Sequence, residues 1–138
     1  MIENFTIGFY TALTANTALN TKLVTTATDS KIYNTVAPQT STLPYLTFGL
    51  LTDMPVGTFE DLAIIEDMTY YVNCFSSTSV AHTLQIADLI KAAMDNISLT
   101  IDGYTSMKCM REFTGNVNYE IDTKVYSLPL RYRVWGSR

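Results

Sequence analysis

The chain has 138 residues, the length of one domain, and a formal net charge of -4. Hydrophobic residues make up 47% of it and charged residues 16%, which excludes intrinsic disorder. The acidic balance argues against a nucleic-acid groove, and no apolar run reaches the roughly 18 to 20 residues of a transmembrane helix. Residues 1–4 lack the basic region of a signal peptide. We therefore expect one globular domain over residues 1–138.

The first part of the chain has the periodicity of two short helices. Apolar residues recur at intervals of three and four, which predicts one helix with a single apolar stripe. The stripe consists of Ile2, Phe5, Phe9 and Leu13. Either Asn16 or Thr17 is expected to cap a second helix, which carries Leu19 and Leu23. The Thr-rich residues 25–30 predict a loop.

An alternating pattern then replaces the helical one. After a brief extended piece at residues 32–33, a strand is predicted from Pro44, with one face formed by Leu46, Phe48 and Leu50. Turn residues at 53–57 are expected to end this strand. A second strand over residues 64–75 has one face formed by Met68, Tyr70, Val72 and Cys74. Because the two strands are joined directly, we expect an antiparallel hairpin with a long acidic loop.

The most regular helical pattern follows residues 76–79, a run of Ser and Thr that is typical of a helix N-terminus. Its predicted apolar face consists of Ile86, Ala87, Ile90, Ala93, Met94 and Ile97. Burial of each large apolar side chain stabilises a fold by about 1.5–3 kcal/mol. We therefore expect this helix to pack on a sheet or on another helix.

The last forty residues alternate again and predict two or three strands, over residues 99–101, 105–113 and 124–135. The second of these has one face formed by Met107, Cys109 and Phe113, and the third has one face formed by Tyr126, Leu128, Leu130, Tyr132 and Val134. Pro129 lacks an N–H group, which predicts an edge position or a bulge. The order of elements predicts an α+β fold: an antiparallel sheet of about four strands with two main helices packed on one face.

The sequence shows no pattern for catalysis, a cofactor or a metal. Cys74 and Cys109 lie in strand-like segments without a CxxC spacing, so both are expected to be buried, reduced thiols. The single histidine, His82, has no nucleophile arranged beside it. Adjacent carboxylates at 60–61 and 66–67 would point to opposite faces of a strand, so neither pair can flank a substrate. We predict that the protein is not an enzyme.

Three arginines near the carboxyl end, Arg131, Arg133 and Arg138, lie close to Trp135 in sequence. Basic residues beside an aromatic residue also occur in nucleic-acid interfaces, but the rest of the chain is acidic. We therefore expect these arginines to form cross-strand pairs with Glu112 or Glu120.

Several short motifs carry information through their order and spacing. They are Ala12-Leu13-Thr14-Ala15-Asn16, Ala18-Leu19, Lys31-Ile32-Tyr33, Val36-Ala37-Pro38-Gln39 and Leu43-Pro44-Tyr45-Leu46-Thr47-Phe48-Gly49. A strand with Asn73-Cys74-Phe75 that leads directly into a helix continues the same layout, as does the closing strand over residues 128–134. In this order the chain resembles, over essentially its whole length, the tail completion or tail terminator proteins of long-tailed bacteriophages.

The resemblance implies a structural virion protein, made in the bacterial host cytoplasm, without a catalytic residue or cofactor. Such proteins form ring-shaped caps, typically of six copies, that end polymerisation of the tail tube and join the tail to the head. The implied partners are further copies of the chain, the tail tube protein and the head connector or stopper protein. DNA would pass through the lumen without specific binding, and no membrane is involved.

Two segments are candidates for these contacts, the loop at 53–61 and the bend at 114–123, because long connections between strands usually have a function. The residues expected there are Asp53, Met54, Pro55, Phe59, Glu60, Asp61, Asn116, Asn118 and Tyr119. Two alternatives remain open. One is a head-closure or neck connector component, and the other is a non-catalytic α+β module that binds a ligand beside the aromatic strand residues Tyr70, Tyr71 or Tyr126.

Overall fold

The computed structural model describes residues 2–23, 31–38, 42–56, 65–99 and 106–137, which form three helices and six strands. The helices are α1 (Ile2–Thr14), α2 (Thr17–Leu23) and α3 (Val80–Met94). The strands are β1 (Ile32–Asn34), β2 (Tyr45–Val56), β3 (Ile65–Ser76), β4 (Ser106–Thr114), β5 (Asn118–Glu120) and β6 (Val125–Ser137). The predicted loop over 25–30 and the strand residues 100–101 lie outside the described residues.

The helices begin and end where side chains satisfy the free backbone groups. Asn16 caps α2, because its Oδ1 atom accepts the backbone N–H of Leu19 at 2.9 Å. The Ser79 hydroxyl caps α3 by accepting the backbone N–H three residues later at 3.1 Å. At Asp95 the backbone becomes extended, which ends α3. Ile97, predicted on the apolar face of this helix, therefore lies beyond it, although it still packs against the core.

The sheet has the order β1-β2-β3-β6-β4, and β5 pairs with β6 beyond the end of β4. All described pairings are antiparallel except that β1 runs parallel to β2. The sheet is therefore mixed and has six described strands, where the sequence predicts about four antiparallel ones. β1 and β5 have only three residues each, too few for an alternating pattern, so the sequence predicts only a brief extended piece at 32–33 and a bend at 114–123 in their places.

The strand β2 continues through the turn predicted at 53–57. Residues 53–56 pair with residues 65–68 of β3 as an antiparallel ladder. Pro55 is tolerated because the pairing with β1 covers only residues 46–48 of β2, which leaves this stretch at an edge of the described sheet. A β-bulge at Leu51 also shifts the register between β2 and β3.

Pro129 occupies a local edge position, as predicted, although β6 as a whole lies between β3 and β4. The carbonyl of Pro129 accepts the backbone N–H of Gly115 at 2.7 Å, in the short break between β4 and β5. In an antiparallel strand the nitrogen and carbonyl of one residue face the same neighbour. The missing N–H of Pro129 therefore faces that break, where no ladder hydrogen bond is lost.

The core lies between one face of the sheet and the three helices, as predicted for an α+β fold. The ring of Phe9 in α1 stacks on Phe48 of β2 and on Tyr70 of β3, with centroids 5.7 and 4.7 Å apart. On β6 the alternation of Leu128, Leu130, Tyr132 and Val134 toward the core is confirmed, as each is at most 1% exposed. Tyr132 reaches α3, where its hydroxyl meets Asp95.

Candidate assembly surface

The sheet face opposite the helices exposes apolar and aromatic side chains, and we call it the open face. Strand alternation sends Tyr71 and Arg131 to this face while Tyr70 and Tyr132 enter the core. The described helices all pack on the other face. The exposed large hydrophobic residues of the open face are Leu51, Met54, Met110, Phe113 and Trp135, with exposures between 37% and 61%. Several large apolar side chains exposed on one face of a sheet are typical of an interaction surface.

A bulge in β4 adds an aromatic residue to the open face. Arg111 pairs with Tyr132, but Phe113 pairs with Arg131, so Glu112 is the extra residue of the bulge. The sequence pattern places Phe113 on the same side as Cys109. That prediction is wrong, because the bulge reverses the alternation and turns Phe113 outward, where it is 44% exposed.

Two shallow grooves lie side by side on the open face and share Tyr71 and Asn73 as their common wall. The first, which we call the Arg131 groove, has a volume of about 280 Å³ and is lined by Leu51, Tyr71, Asn73, Phe113, Pro129, Leu130 and Arg131. The second has a volume of about 360 Å³ and includes Val36, Tyr45, Thr47 and Phe75. Both volumes lie near the lower limit of about 300 Å³ for small-molecule pockets, so each groove suits single protein side chains.

Gly49 allows the Tyr71 side chain, part of the common wall of the two grooves, to take its position. A Cβ atom at Gly49 would lie 2.6 Å from the hydroxyl oxygen of Tyr71 and 2.8 Å from its Cζ atom. The Tyr71 ring therefore lies across the Gly49 backbone, a place that any side chain at position 49 would occupy.

Two neighbouring arginines on the open face have different surroundings. Arg133 donates from Nε to Oδ1 of Asp67 at 2.8 Å and from Nη2 to Oδ2 at 2.5 Å. This bidentate pair raises the pKa of Arg133, and the guanidinium also lies 5.6 Å from the Trp135 ring centroid. The hydrogen bonds of Arg133 thus go to Asp67 on β3, the other neighbour of β6, and not to the predicted Glu112 or Glu120, although the charge of Glu112 also raises the pKa of Arg133. Arg138 lies outside the described residues.

Arg131 has no carboxylate partner of this kind. Its guanidinium lies over the Phe113 ring, 4.7 Å from the centroid. Its Nε atom is shielded from solvent, and no hydrogen-bond acceptor meets it in the described part of the chain. The Nε–H group that Arg133 donates to a carboxylate is therefore without an acceptor in Arg131 among the described residues.

The interface residues predicted from sequence fall at opposite ends of the sheet. Asp53, Met54 and Pro55 lie in the last part of β2, whereas Asn118 and Tyr119 lie in β5. Through the strand pairings these positions are eight residues apart along β6, from 126 to 134, or about 27 Å. Asn116 lies in the link between β4 and β5 and is exposed. Phe59, Glu60 and Asp61 lie outside the described residues.

Asp53 does not lie on the open face. The bulge at Leu51 pairs Asp53 with Met68, a core residue, and the Oδ1 atom of Asp53 is buried without a hydrogen-bond partner among the described atoms. Burial raises the pKa of the neighbouring Tyr70 hydroxyl, and the negative charge of Asp53 raises it further.

The open face was not predicted from the sequence as a contact surface. The alternation of β6 was a usable signal, because it separates Arg131 and Arg133 from the core residues.

The remaining reactive groups are buried in the core or act as structural caps. Cys74 and Cys109 are free and buried, and burial raises the pKa of each thiol to about 12. The prediction that no nucleophile lies beside His82 is wrong in geometry, because its Nδ1 lies 2.6 Å from the Ser76 hydroxyl. Ser76 is fully buried and its hydroxyl also accepts the backbone N–H of Thr78, which gives it a structural role at the start of the helix. Within the described ranges, no group of His, Cys, Asp and Glu has the clustering of a metal site, and no helix is long and apolar enough to cross a membrane.

A helix-backed sheet with an exposed apolar and aromatic face is typical of a protein that assembles with others. Comparison with protein families shows which kind of protein this is. Residues 9–137 match the family model described as tail completion protein gp17. The chain therefore belongs to the tail completion protein family of bacteriophages. It is a structural protein of the phage tail and is located in the virion.

Solved structures share this fold at low sequence identity. A chain from the virion of a native gene transfer agent particle has a TM-score of 0.77 and 12% identity, covering 96% of this chain and 93% of that one. A second solved chain has a TM-score of 0.65 and 12% identity, covering 99% of this chain and 94% of its own. No curated protein matches the sequence.

Proposed function

We propose that the protein caps the end of the phage tail tube as a ring, ends tube polymerisation and joins the tail to the head connector. The match of residues 9–137 to the tail completion family carries this proposal. The ring would contain six copies, as the resemblance implies, and each copy would act as a single domain. This function requires no catalytic group. Polymerisation of the tail tube ends because the cap covers the surface to which the next tube subunit would bind.

The two ends of the sheet are the proposed contact regions with other virion proteins. Met54 belongs to one end, and Asn116, Asn118 and Tyr119 belong to the other. Phe59, Glu60 and Asp61 lie outside the described residues and stay predicted contact residues on sequence grounds alone. Met54 is 61% exposed and Tyr119 is 48% exposed, so both would bury apolar area on assembly. Because a cap must contact the tube on one side and the head on the other, contact regions about 27 Å apart suit it.

Electron microscopy of lysates from the parent phage with this gene disrupted tests the proposal. We expect overlong or unjoined tails beside DNA-filled heads, and restoration of both defects by the intact gene supplied in trans. Tail tubes of normal length beside leaking heads would instead identify a head-closure component. Intact, infectious particles would refute both structural functions.

A further inference from the structure

The hairpin formed by β5 and β6 ends in an exposed tip, which we define as residues 120–122. Ile121 is 79% exposed, more than any other large hydrophobic residue that the structure describes. Glu120 and Asp122 on either side of it are also exposed. The tip thus presents one apolar side chain between two carboxylates, an arrangement that suits an apolar groove with a nearby cation.

The Arg131 groove has the complementary chemistry. Its walls include Tyr71 and Phe113, between which an aliphatic side chain can be buried. The guanidinium of Arg131 lies over Phe113 at the edge of the groove and gives the groove its positive charge. The second groove of the open face has no charged residue in its lining. Charge complementarity therefore selects the Arg131 groove for the tip.

The tip cannot reach the groove of its own chain. Val125, the first residue of β6 after the turn, is six residues from Arg131, or about 20 Å along the strand. The paired residues of β5 and β6 hold the hairpin pointing away from the groove. Any contact between the two surfaces must therefore join two different copies of the chain.

We propose that the tip at residues 120–122 of one copy binds in the Arg131 groove of the next copy. Ile121 lies between Tyr71 and Phe113, and the carboxylate of Glu120 or Asp122 accepts hydrogen bonds from the Arg131 guanidinium. Because the two surfaces differ, the contact is head-to-tail, the type that generates closed rings. The proposal deepens the proposed function, since it depends on a ring of copies and specifies how neighbouring copies are joined.

Site-directed cross-linking in assembled particles tests this contact. Phage lacking the gene is complemented with the double variant Ile121→Cys plus Phe113→Cys, and purified tails are treated with a mild oxidant. Both positions are exposed, and the native Cys74 and Cys109 are buried, so only the introduced thiols should react. We expect a ladder of disulfide-linked oligomers that contains dimers and larger species, because each copy has one tip and one groove. Each single variant should give no ladder.

The controls separate failure of this contact from failure of the proposed function. Tails of normal length and normal attachment with no cross-link between positions 121 and 113 would overturn the inference and leave the capping function intact. A cross-link from position 113 to a different virion protein would also overturn it. If disruption of the gene leaves tail length and attachment unchanged, the proposed function itself fails.

Charge reversal gives an independent readout. Arg131→Glu should lower the infectious titre at least tenfold, and Glu120→Arg with Asp122→Arg in the same gene should recover part of it. Lys108→Glu is the matched control, because Lys108 is an exposed cation of β4 that does not line the groove. Equal loss from Arg131→Glu and Lys108→Glu, without recovery by the tip variants, would contradict the pairing.

Discussion

The hydroxyl of Tyr132 donates to Oδ1 of Asp95 at 2.9 Å, which joins the middle of β6 to the end of α3. Arg111 of β4 lies on the other oxygen of the same carboxylate, with its Nε 3.5 Å from Oδ2. A carboxylate at a helix C-terminus is unfavourable, because the carbonyl end of the helix is partly negative. Tyr132 and Arg111 offset this cost, so one acidic residue connects a helix and two strands.

Removal of this hydroxyl should destabilise the fold. Tyr132→Phe leaves the buried ring in place but removes a hydrogen bond to a charged group, which is worth about 1.5–3 kcal/mol. Urea denaturation should show a loss of that order. In an Asp95→Asn background the same substitution should cost less, because the charge that strengthens the bond is absent. Equal losses in both backgrounds would show that the bond does not depend on the carboxylate.

The apolar stripe of α1 should account for most of the contribution of this helix to stability. Phe9 is fully buried and stacks on Phe48 and Tyr70, so Phe9→Ala should lower the free energy of unfolding by about 3–5 kcal/mol. Ile7 in the same helix is 55% exposed, and Ile7→Ala is the matched control. We expect its cost to be below about 1 kcal/mol in the same denaturation experiment. Similar costs for the two variants would contradict the packing of α1.

The partly buried position of His82 should make stability depend on pH. Burial, and secondly the positive charge of Lys22, lower the pKa of His82 in the folded state below its ordinary value of 6.5. The unfolded chain then binds the proton more strongly, so stability is complete above pH 6.5 and falls as the pH drops below it. The urea midpoint should decrease between pH 7.5 and 5.5, and His82→Asn should remove most of that decrease. An unchanged pH dependence in the variant would refute the assignment.

A side chain at Gly49 should displace Tyr71 and thereby deform both grooves. Because its Cβ would lie 2.6 Å from the Tyr71 hydroxyl oxygen, Gly49→Ala should cost about 1–3 kcal/mol and lower the yield of the cross-link between positions 121 and 113. In a Tyr71→Ala background the stability cost should disappear, since the clash is absent. Unfolding curves of the four proteins check this, and a cost that persists would place the strain in the backbone at Gly49.

Periodicity predicted the long elements well because each has one fully buried side. Phe5, Phe9 and Leu13 of the α1 stripe, the even-numbered core residues of β3 and β6, and the Ser79 cap of α3 lie where the sequence predicts them. Phe9, Tyr70 and Tyr132 illustrate why: their spacing matches the repeat of a regular element, and the aromatic rings then meet in the core.

The features that sequence missed depend on contacts between distant segments. The bulges at Leu51 and Glu112 reverse the alternation, and no local pattern distinguishes them from regular strand. Pro129 predicts an edge position, and its nitrogen does face the break between β4 and β5, but only the topology reveals that β6 is otherwise an inner strand. The Arg133 pair with Asp67 likewise joins residues 66 positions apart.

The two faces of β6 alternate residue by residue, so the positions that maintain the fold and those that meet a partner are interleaved along one strand. Val134 and Tyr132 are fully buried, while Arg131, Arg133 and Trp135 lie on the open face. Substitution of alternate residues could therefore exchange one partner specificity for another without altering the packed interior. In a related phage, the open-face residues of this strand could change to bind a different partner protein, while the core-facing residues between them stayed the same.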